Sequence, residues 1–281
     1  MQIFEKINAI SSYLSRQKKA GKTIGFVPTM GALHQGHLQL MHRAKKENKL
    51  LVVSIFVNPI QFNNPEDLQK YPRELERDKE LLREVGCDVL FIPEVKEMYP
   101  EGEVLVKYDF GGLDKVMEGT FRKGHFNGVA VVVRKLFEIT MPDRSYFGEK
   151  DFQQLAIIQK LAEIEQLPVE IVPCAIVREP DGLAMSSRNE RLTEEERNMA
   201  PFIYNCLQEA KKKKDTHSPM EIIEWVVNRF DDQPAFRLEY FQLADDHNLQ
   251  PVEKWDEAKG IIAFIAAWLG NVRLIDNLRF I

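Results

Sequence analysis

Two histidines three residues apart carry the strongest chemical signal in the chain. They lie in the segment Pro28-Thr29-Met30-Gly31-Ala32-Leu33-His34-Gln35-Gly36-His37. An apolar run, Thr23 to Val27, precedes it, and a helical periodicity follows, so the segment reads as a turn from a buried strand into a helix. A helix start offers unpaired N–H groups and the positive end of the macrodipole, both of which attract anions. Two imidazoles there add donors that hold a phosphate without a metal. Gly31 and Gly36 let backbone come close to a ligand. Neither GxGxxG nor GxxxxGK[ST] occurs, so this is a phosphate loop of another kind.

Three further segments carry polar chemistry. Asn58 and Gln61 follow the apolar run Leu50 to Val57. Their neutral amides orient a small polar substrate without adding charge, or else serve as turn residues. Gly148-Glu149-Lys150-Asp151 follows the short run Ser145 to Phe147 and leads into a helix bearing Gln153 and Gln154. Lys150 is either a cation at a second anion-attracting helix start or a solvated neighbour of a capping Asp151. Met185-Ser186-Ser187-Arg188 combines two hydroxyls with a guanidinium, which suits a phosphate clamp or a linker that caps the next helix. In an open parallel sheet, ligands bind beyond the carboxyl ends of the strands. Together the four segments predict one basic, hydroxyl-rich crevice with few carboxylates, suited to a triphosphate and an acidic substrate.

The elements that position these residues alternate strand and helix. Thr23 to Val27 and Leu50 to Val57 are nearly continuous apolar runs, as strands covered on both faces require, and the helix from His37 to Glu47 lies between them. A helix over Pro72 to Val85 ends at Gly86, and Asp88 to Ile92 is a third strand. Val129 to Ile139 reads as a helix whose valines would also suit a strand. Ser145 to Phe147 is a strand, Phe152 to Glu165 a periodic helix, and Val169 to Val177 a strand. This is a doubly wound α/β domain with a parallel, Rossmann-like sheet. The pattern changes after the loop Arg178 to Asn189, where Thr193 and Glu196 form a capping-box signature and strands recur at Leu238 to Leu243 and Ile261 to Leu269. The expected division is a domain over 1–176 and a smaller α+β domain over 177–281 that closes over the site, with the Arg178–Asn189 loop as a mobile lid.

With 38 basic and 43 acidic residues intermixed, a net charge of −5 argues against a general nucleic-acid binder and gives no membrane-surface patch. Three isolated cysteines, Cys87, Cys174 and Cys206, argue against a disulfide framework or a structural zinc site. The longest late apolar run, Ile261 to Leu269, is too short to span a bilayer, and a cytoplasmic protein is expected.

HxGH-type loops followed downstream by a Ser/Lys/Arg segment characterise the nucleotidyltransferase superfamily. Within it, the chain resembles the pantoate–β-alanine ligase family over nearly its whole length. The resemblance rests on PTMGALHQGH at 28–37, FVNPIQF at 56–62, YPRELERD at 71–78, HFNGV at 125–129, YFGEKDFQQL at 146–155, DGLAMSSRN at 181–189 and GNVRLIDN near the end. It implies ATP-dependent joining of pantoate to β-alanine through a pantoyl adenylate, with magnesium, in a homodimer. It implies that Met30, Gly31, Ala32, Leu33, His34, Gln35, Gly36 and His37 line the ATP site. His34 and His37 would then sit on the phosphates, with His37 as the proton donor. It further implies Gln61 and Gln154 on pantoate, with Asn58 beside them. Gly148, Glu149, Lys150 and Asp151 would bind ATP, Val177 the adenine, and Met185, Ser186, Ser187 and Arg188 the triphosphate. Asp78 would help place magnesium. Two other readings stand beside this one. A transferase moving AMP or CMP onto a phosphate ester would not need Gln61 and Gln154, and a nucleotide-binding regulatory module would release no pyrophosphate.

Overall fold

The structure is a computed structural model that describes residues 1–102 and 104–281. The chain divides into two compact units. One comprises residues 1–114, 119–149 and 154–175, and the other 115–118, 150–153 and 176–281.

The first unit is built on a six-stranded parallel sheet. In chain order its strands are β1 (Gln2–Phe4), β2 (Ile24–Thr29), β3 (Leu50–Ile55), β4 (Val89–Phe91), β5 (Arg144–Gly148) and β6 (Glu170–Cys174). Their spatial order is β1-β4-β3-β2-β5-β6. Every residue of β3 is buried, and β2 is buried except at Pro28, which explains why both read as unbroken apolar runs. They pair in register from Ile24 opposite Leu50 to Thr29 opposite Ile55. The order steps outward from β2 through β3 on one side and from β5 through β6 on the other. The switch point therefore lies between β2 and β5, where such sheets open a crevice beyond the strand ends.

The helices of this unit are α1 (Ile7–Lys19), α2 (Gln35–Glu47), α3 (Pro65–Lys70), α4 (Leu75–Glu84), α5 (Val95–Met98), α7 (His125–Thr140) and α8 (Phe152–Ile164); the short α6 (Glu118–Phe121) and α8 each begin in residues of the second unit. The valine run of α7 is helical and buried at Val129, Val131, Val132 and Val133. Such all-round burial erases the amphipathic signature that would have told helix from strand.

The strand before the histidine loop is the second in the chain, since Gln2–Phe4 pairs in parallel with β4. Three residues at a sheet edge leave no periodicity to read. The helix expected from Pro72 begins at Leu75, and a separate helix, α3, precedes it with Asn64 accepting the Glu66 N–H.

The second unit carries a three-stranded antiparallel sheet, β7 (Phe236–Asp245), β8 (Ile261–Leu269) and β9 (Val272–Arg279), together with helices α9 (Glu194–Met199), α10 (Phe202–Lys212) and α11 (Pro219–Asp231). Its core gathers Ile203, Leu207, Val226, Phe230, Leu243 and Ile265. The capping box forms: Thr193 Oγ1 accepts the Glu196 N–H and Glu196 Oε2 accepts the Thr193 N–H. Residues 115–118 and 150–153 belong to this unit and make polar contacts within it. Gln153 accepts the Glu118 N–H and donates to the Val116 carbonyl. The Glu118 carboxylate binds Arg273 at 2.6 and 2.9 Å and Tyr240 at 2.8 Å. The Arg178–Asn189 segment is not an open loop at its root, because Met185 N–H donates to Val177 O and Glu179 N–H to Leu183 O across a small antiparallel turn.

All three cysteines are free and buried. Burial pushes the Cys87 and Cys206 thiols up to about 12 and raises that of Cys174, whose neighbour Arg43 pulls it back. Thiolate is the reactive form, so the folded protein is expected to resist a thiol-specific reagent at pH 8 and to titrate three thiols after denaturation. Fast labelling of the native protein would contradict this burial.

Candidate active site

The histidine loop leaves the carboxyl end of β2 and starts α2. Gly31 has φ 82° and Ala32 φ 50°, two consecutive left-handed residues that turn the chain back over the sheet. His34 is the N-cap of α2, and its Nδ1 accepts the Gly36 N–H at 3.1 Å. His37 Nδ1 accepts the His34 N–H at 3.4 Å, completing a capping box built from two imidazoles instead of Ser and Glu. In the neutral rings this assigns the proton to Nε2. Each ring thus carries its donor on the edge away from the cap. The rings lie 4.1 Å apart and are half-buried.

What holds this loop is Asp78, on α4. Its Oδ2 accepts the Ala32 N–H at 3.0 Å and its Oδ1 the Leu33 N–H at 2.8 Å. The side chain is only 1% exposed, and burial raises its carboxyl, with the two amides pulling the other way. A Cβ on Gly31 would stand 2.9 Å from Asp78 Oδ2, so glycine is required for space as well as for φ. The expectation that Asp78 places magnesium does not fit this geometry. Both oxygens already serve loop amides in a buried setting, and among the described residues no three His, Cys, Asp or Glu side chains gather as a metal site.

The neutral amides at the carboxyl end of β3 form a second cluster in the same unit. Asn58 and Gln61 bracket a 3-10 turn, Pro59–Gln61, and both are buried. Asn58 Nδ2 donates to Gln61 Oε1 and to Gly128 O, each at 3.1 Å, while Asn58 Oδ1 accepts from the Tyr99 hydroxyl at 2.9 Å. Gln61 Nε2 lies 2.9 Å from Met30 Sδ, which ties this cluster to the start of the histidine loop. His125 Nδ1 lies 2.8 Å from Gln61 O. Gly128 lets α7 press against the turn, since an added Cβ would come within 2.5 Å of Ile60 O and 2.8 Å of Gln61 Cα. Asn58 thus sets Gln61 rather than standing as an independent contact.

The remaining sequence-predicted residues fall as follows. Gly148 closes β5, across the switch point from β2, and an added Cβ there would meet nothing within 4 Å among the described residues. Gln154 is half-buried in the first unit, whereas its neighbour Gln153 is a buried structural amide of the second. In the second unit, Lys150 Nζ stands 3.8 Å from Asp151 Oδ1. The Val177 carbonyl accepts the Met185 N–H. Ser186 caps the 3-10 turn Ser187–Arg191 by accepting the Arg188 N–H at 3.2 Å, and Ser187 is buried. The supporting residues that sequence reading missed are His125, Gly128 and Tyr99. The HFNGV block carried the first two, but nothing in its local pattern says that it packs on residues some sixty positions away.

A parallel sheet with a helix start at its switch point and a neutral amide cluster at the end of the neighbouring strand is an arrangement in which α/β proteins bind anionic ligands. The model of the pantoate-beta-alanine ligase family matches residues 2–279. Pantothenate synthetase of Christiangramia forsetii is 50% identical, with 99% of each chain covered, and that of Flavobacterium psychrophilum 51% over the same shares. A crystal structure of pantothenate synthetase from Thermus thermophilus superimposes with a TM-score of 0.93 at 42% identity, covering 100% of this chain and 99% of that one. A Francisella tularensis pantoate-beta-alanine ligase, complexed with beta-gamma ATP and beta-alanine, gives 0.85 at 38% identity, covering 100% and 98%. The chain belongs to the pantoate–β-alanine ligase family and is a ligase of that kind, which sets aside both the phosphate-ester transferase and the non-catalytic module.

Two substitutions test the scaffolding of the site. Asp78→Asn replaces one acceptor by an amide that faces an N–H. It should cost about 1–3 kcal/mol in urea unfolding and speed hydrogen exchange at Ala32 and Leu33. Gly128→Ala forces a Cβ onto backbone and should destabilise by about 1–3 kcal/mol; an unchanged midpoint would contradict the contact at Gln61.

Proposed function

We propose that the chain activates (R)-pantoate with ATP and passes the pantoyl group from its adenylate to β-alanine, giving pantothenate, AMP and pyrophosphate for coenzyme A biosynthesis. The observation that carries the assignment of parts is the adjacency of two chemically distinct clusters on neighbouring strands. A helix start with paired imidazole donors ends β2, and a neutral, mutually braced Asn58–Gln61 pair ends β3.

On this reading Met30 to His37 receive ATP, with the Nε2–H groups of His34 and His37 donating to phosphate oxygens. Gly148 to Asp151 also take ATP, and the open space over Gly148 supports close approach of backbone to the ligand. Lys150 supplies charge to the phosphates, Val177 meets adenine, and Met185 to Arg188 take the triphosphate. Gln61 and Gln154 hold pantoate, and Asn58 fixes the orientation of Gln61.

In the first step a pantoate carboxylate oxygen bonds to the α-phosphorus as the bond to the pyrophosphate oxygen breaks. Charge grows on the departing pyrophosphate, where preorganised donors act most strongly. In the second step the β-alanine amine attacks the pantoyl carbonyl carbon and AMP leaves. No side-chain nucleophile takes part, and the protein contributes placement and charge stabilisation. Magnesium, when present, neutralises charge on phosphate oxygens. We place the enzyme in the cytoplasm as a homodimer, on the family resemblance alone.

Because His37 caps α2 as well as facing outward, His37→Gln separates its two roles, glutamine being a natural partner in a capping box. His37→Gln should keep the melting temperature within a few degrees. Pantoate-dependent pyrophosphate release should fall about a hundred- to a thousand-fold, the usual loss when a preorganised transition-state donor leaves its position, since the glutamine amide is drawn to the cap. Chemically made pantoyl adenylate with β-alanine should be converted with far less impairment. A His37→Gln enzyme that adenylates pantoate at the wild-type rate would overturn the phosphate-donor role.

A further inference from the structure

The last strand of the chain carries a pair of adjacent polar residues whose chemistry nothing above has used. Asp276 and Asn277 are consecutive on β9, paired with Ile265 and Phe264 of β8, and both are 5% exposed. A carboxylate and an amide so deep in a small antiparallel sheet cost folding energy unless partnered, so their partners show what they are retained for.

Asp276 grips Arg178 in a bidentate pair, with Nη1 to Oδ2 at 2.6 Å and Nη2 to Oδ1 at 2.9 Å, and its Oδ1 also accepts the Asn277 N–H at 2.8 Å. The same guanidinium donates to Asn277 O at 3.2 Å and to Gly182 O at 3.1 Å, and it lies over the Tyr204 ring at 3.9 Å. Arg178 is the residue after Val177 and is bridged to Ala184, the residue before Met185. Gripping it fixes the root of the turn that carries both. The other side chain reaches elsewhere in the same unit. Asn277 Nδ2 donates to the backbone carbonyl of Lys150 at 3.0 Å. Burial raises the Asp276 carboxyl, and the charges of Arg178 and, more weakly, Lys150 work against that rise.

We propose that Asp276 and Asn277 are positioning residues for adenylate formation, one anchoring the Val177–Met185 turn through Arg178 and the other anchoring the peptide of Lys150. Two ATP-binding segments far apart in sequence are thereby held from one rigid strand. The proposal rests on the reading of Lys150 and Val177 to Arg188 as ATP residues. Neither Asp276 nor Asn277 touches substrate. Their effect is to keep Lys150 and the turn in a single arrangement before ATP arrives, so that ATP is not charged with ordering them.

The test uses the full-length enzyme and follows pantoate-dependent pyrophosphate release with ATP varied. Asn277→Ala should raise the KM for ATP and lower kcat/KM about five- to tenfold, as loss of one hydrogen bond implies. Conversion of supplied pantoyl adenylate with β-alanine should stay at the wild-type rate. Lys150→Ala alone should be strongly impaired, and Asn277→Ala added to it should cost little more, because a residue that acts through Lys150 has nothing left to position. A merely structural role would instead show additive losses in both half-reactions. Asp276→Asn keeps the shape of the Arg178 contact and should raise the KM for ATP, with Asp276→Glu closer to wild type. If Asp276→Asn does not fold, Arg178→Lys, which keeps the charge and loses the fork, should show the same KM effect. A wild-type KM for ATP in that variant would overturn the Asp276 half. Wild-type ATP kinetics in Asn277→Ala beside an impaired Lys150→Ala overturn the Asn277 half alone. Wild-type kinetics in Lys150→Ala overturn the underlying reading of Lys150 and, with it, the Asn277 half of the proposal.

Discussion

The carboxylate of Asp78 holds the amides of Ala32 and Leu33, and the geometry of the histidine loop depends on that grip. Two successive left-handed residues form a conformation that an unrestrained chain leaves readily. With its two amides bound from outside, the loop has little freedom, and α2 starts where it does. The start of α2 then decides the histidines. His34 becomes the N-cap, His37 becomes the third helical residue, and the cap takes Nδ1 of both rings. The proton assignment on each ring is thus a consequence of backbone geometry reached through a buried carboxylate. Burial raises the Asp78 carboxyl, and the bonds to Leu33 and Ala32 offset that cost in part.

The amide cluster is built on the same logic with neutral groups. Gln61 has its side chain set by Asn58 and its carbonyl set by His125, while Asn58 is itself set by Tyr99 and by the carbonyl of Gly128. The partners come from the turn after β3, from Tyr99 and from the start of α7, and each buried polar atom named here finds a mate, as burial demands. The cluster is held together without a charged side chain, so its hydrogen bonds need no ion pair to offset burial.

Much of this was legible beforehand, and the reasons are local. The unbroken apolar runs of β2 and β3 announced strands covered on both faces, and the residues after them do stand at the carboxyl ends of a parallel sheet. The Thr193–Glu196 capping box was read directly, since its two hydrogen bonds join residues three apart. Where the reading failed, the interactions were distant. Asp78 lies 46 and 45 positions from the amides it holds, so nothing in its local sequence shows that its carboxylate serves the backbone of the histidine loop. β1 and β9 were unread as strands for opposite reasons. The first is too short to show a period, and the second carries Arg273, Asp276 and Asn277 in place of apolar residues.

The sequence by itself determined most of the element types, the parallel sheet, the helix start behind two histidines and the family to which the chain belongs, because each is written in residues near one another or in ordered blocks along the chain. The tertiary structure decided which polar residues are satisfied by the protein itself. Asp78, Asn58, Gln153, Asp276 and Asn277 all read as candidates or as blanks in sequence, and all serve the protein's own backbone or side chains in the fold. The physical reason is that a polar side chain has the same chemistry whether it binds substrate or satisfies a buried amide. Its choice is made by partners that the chain brings together only on folding.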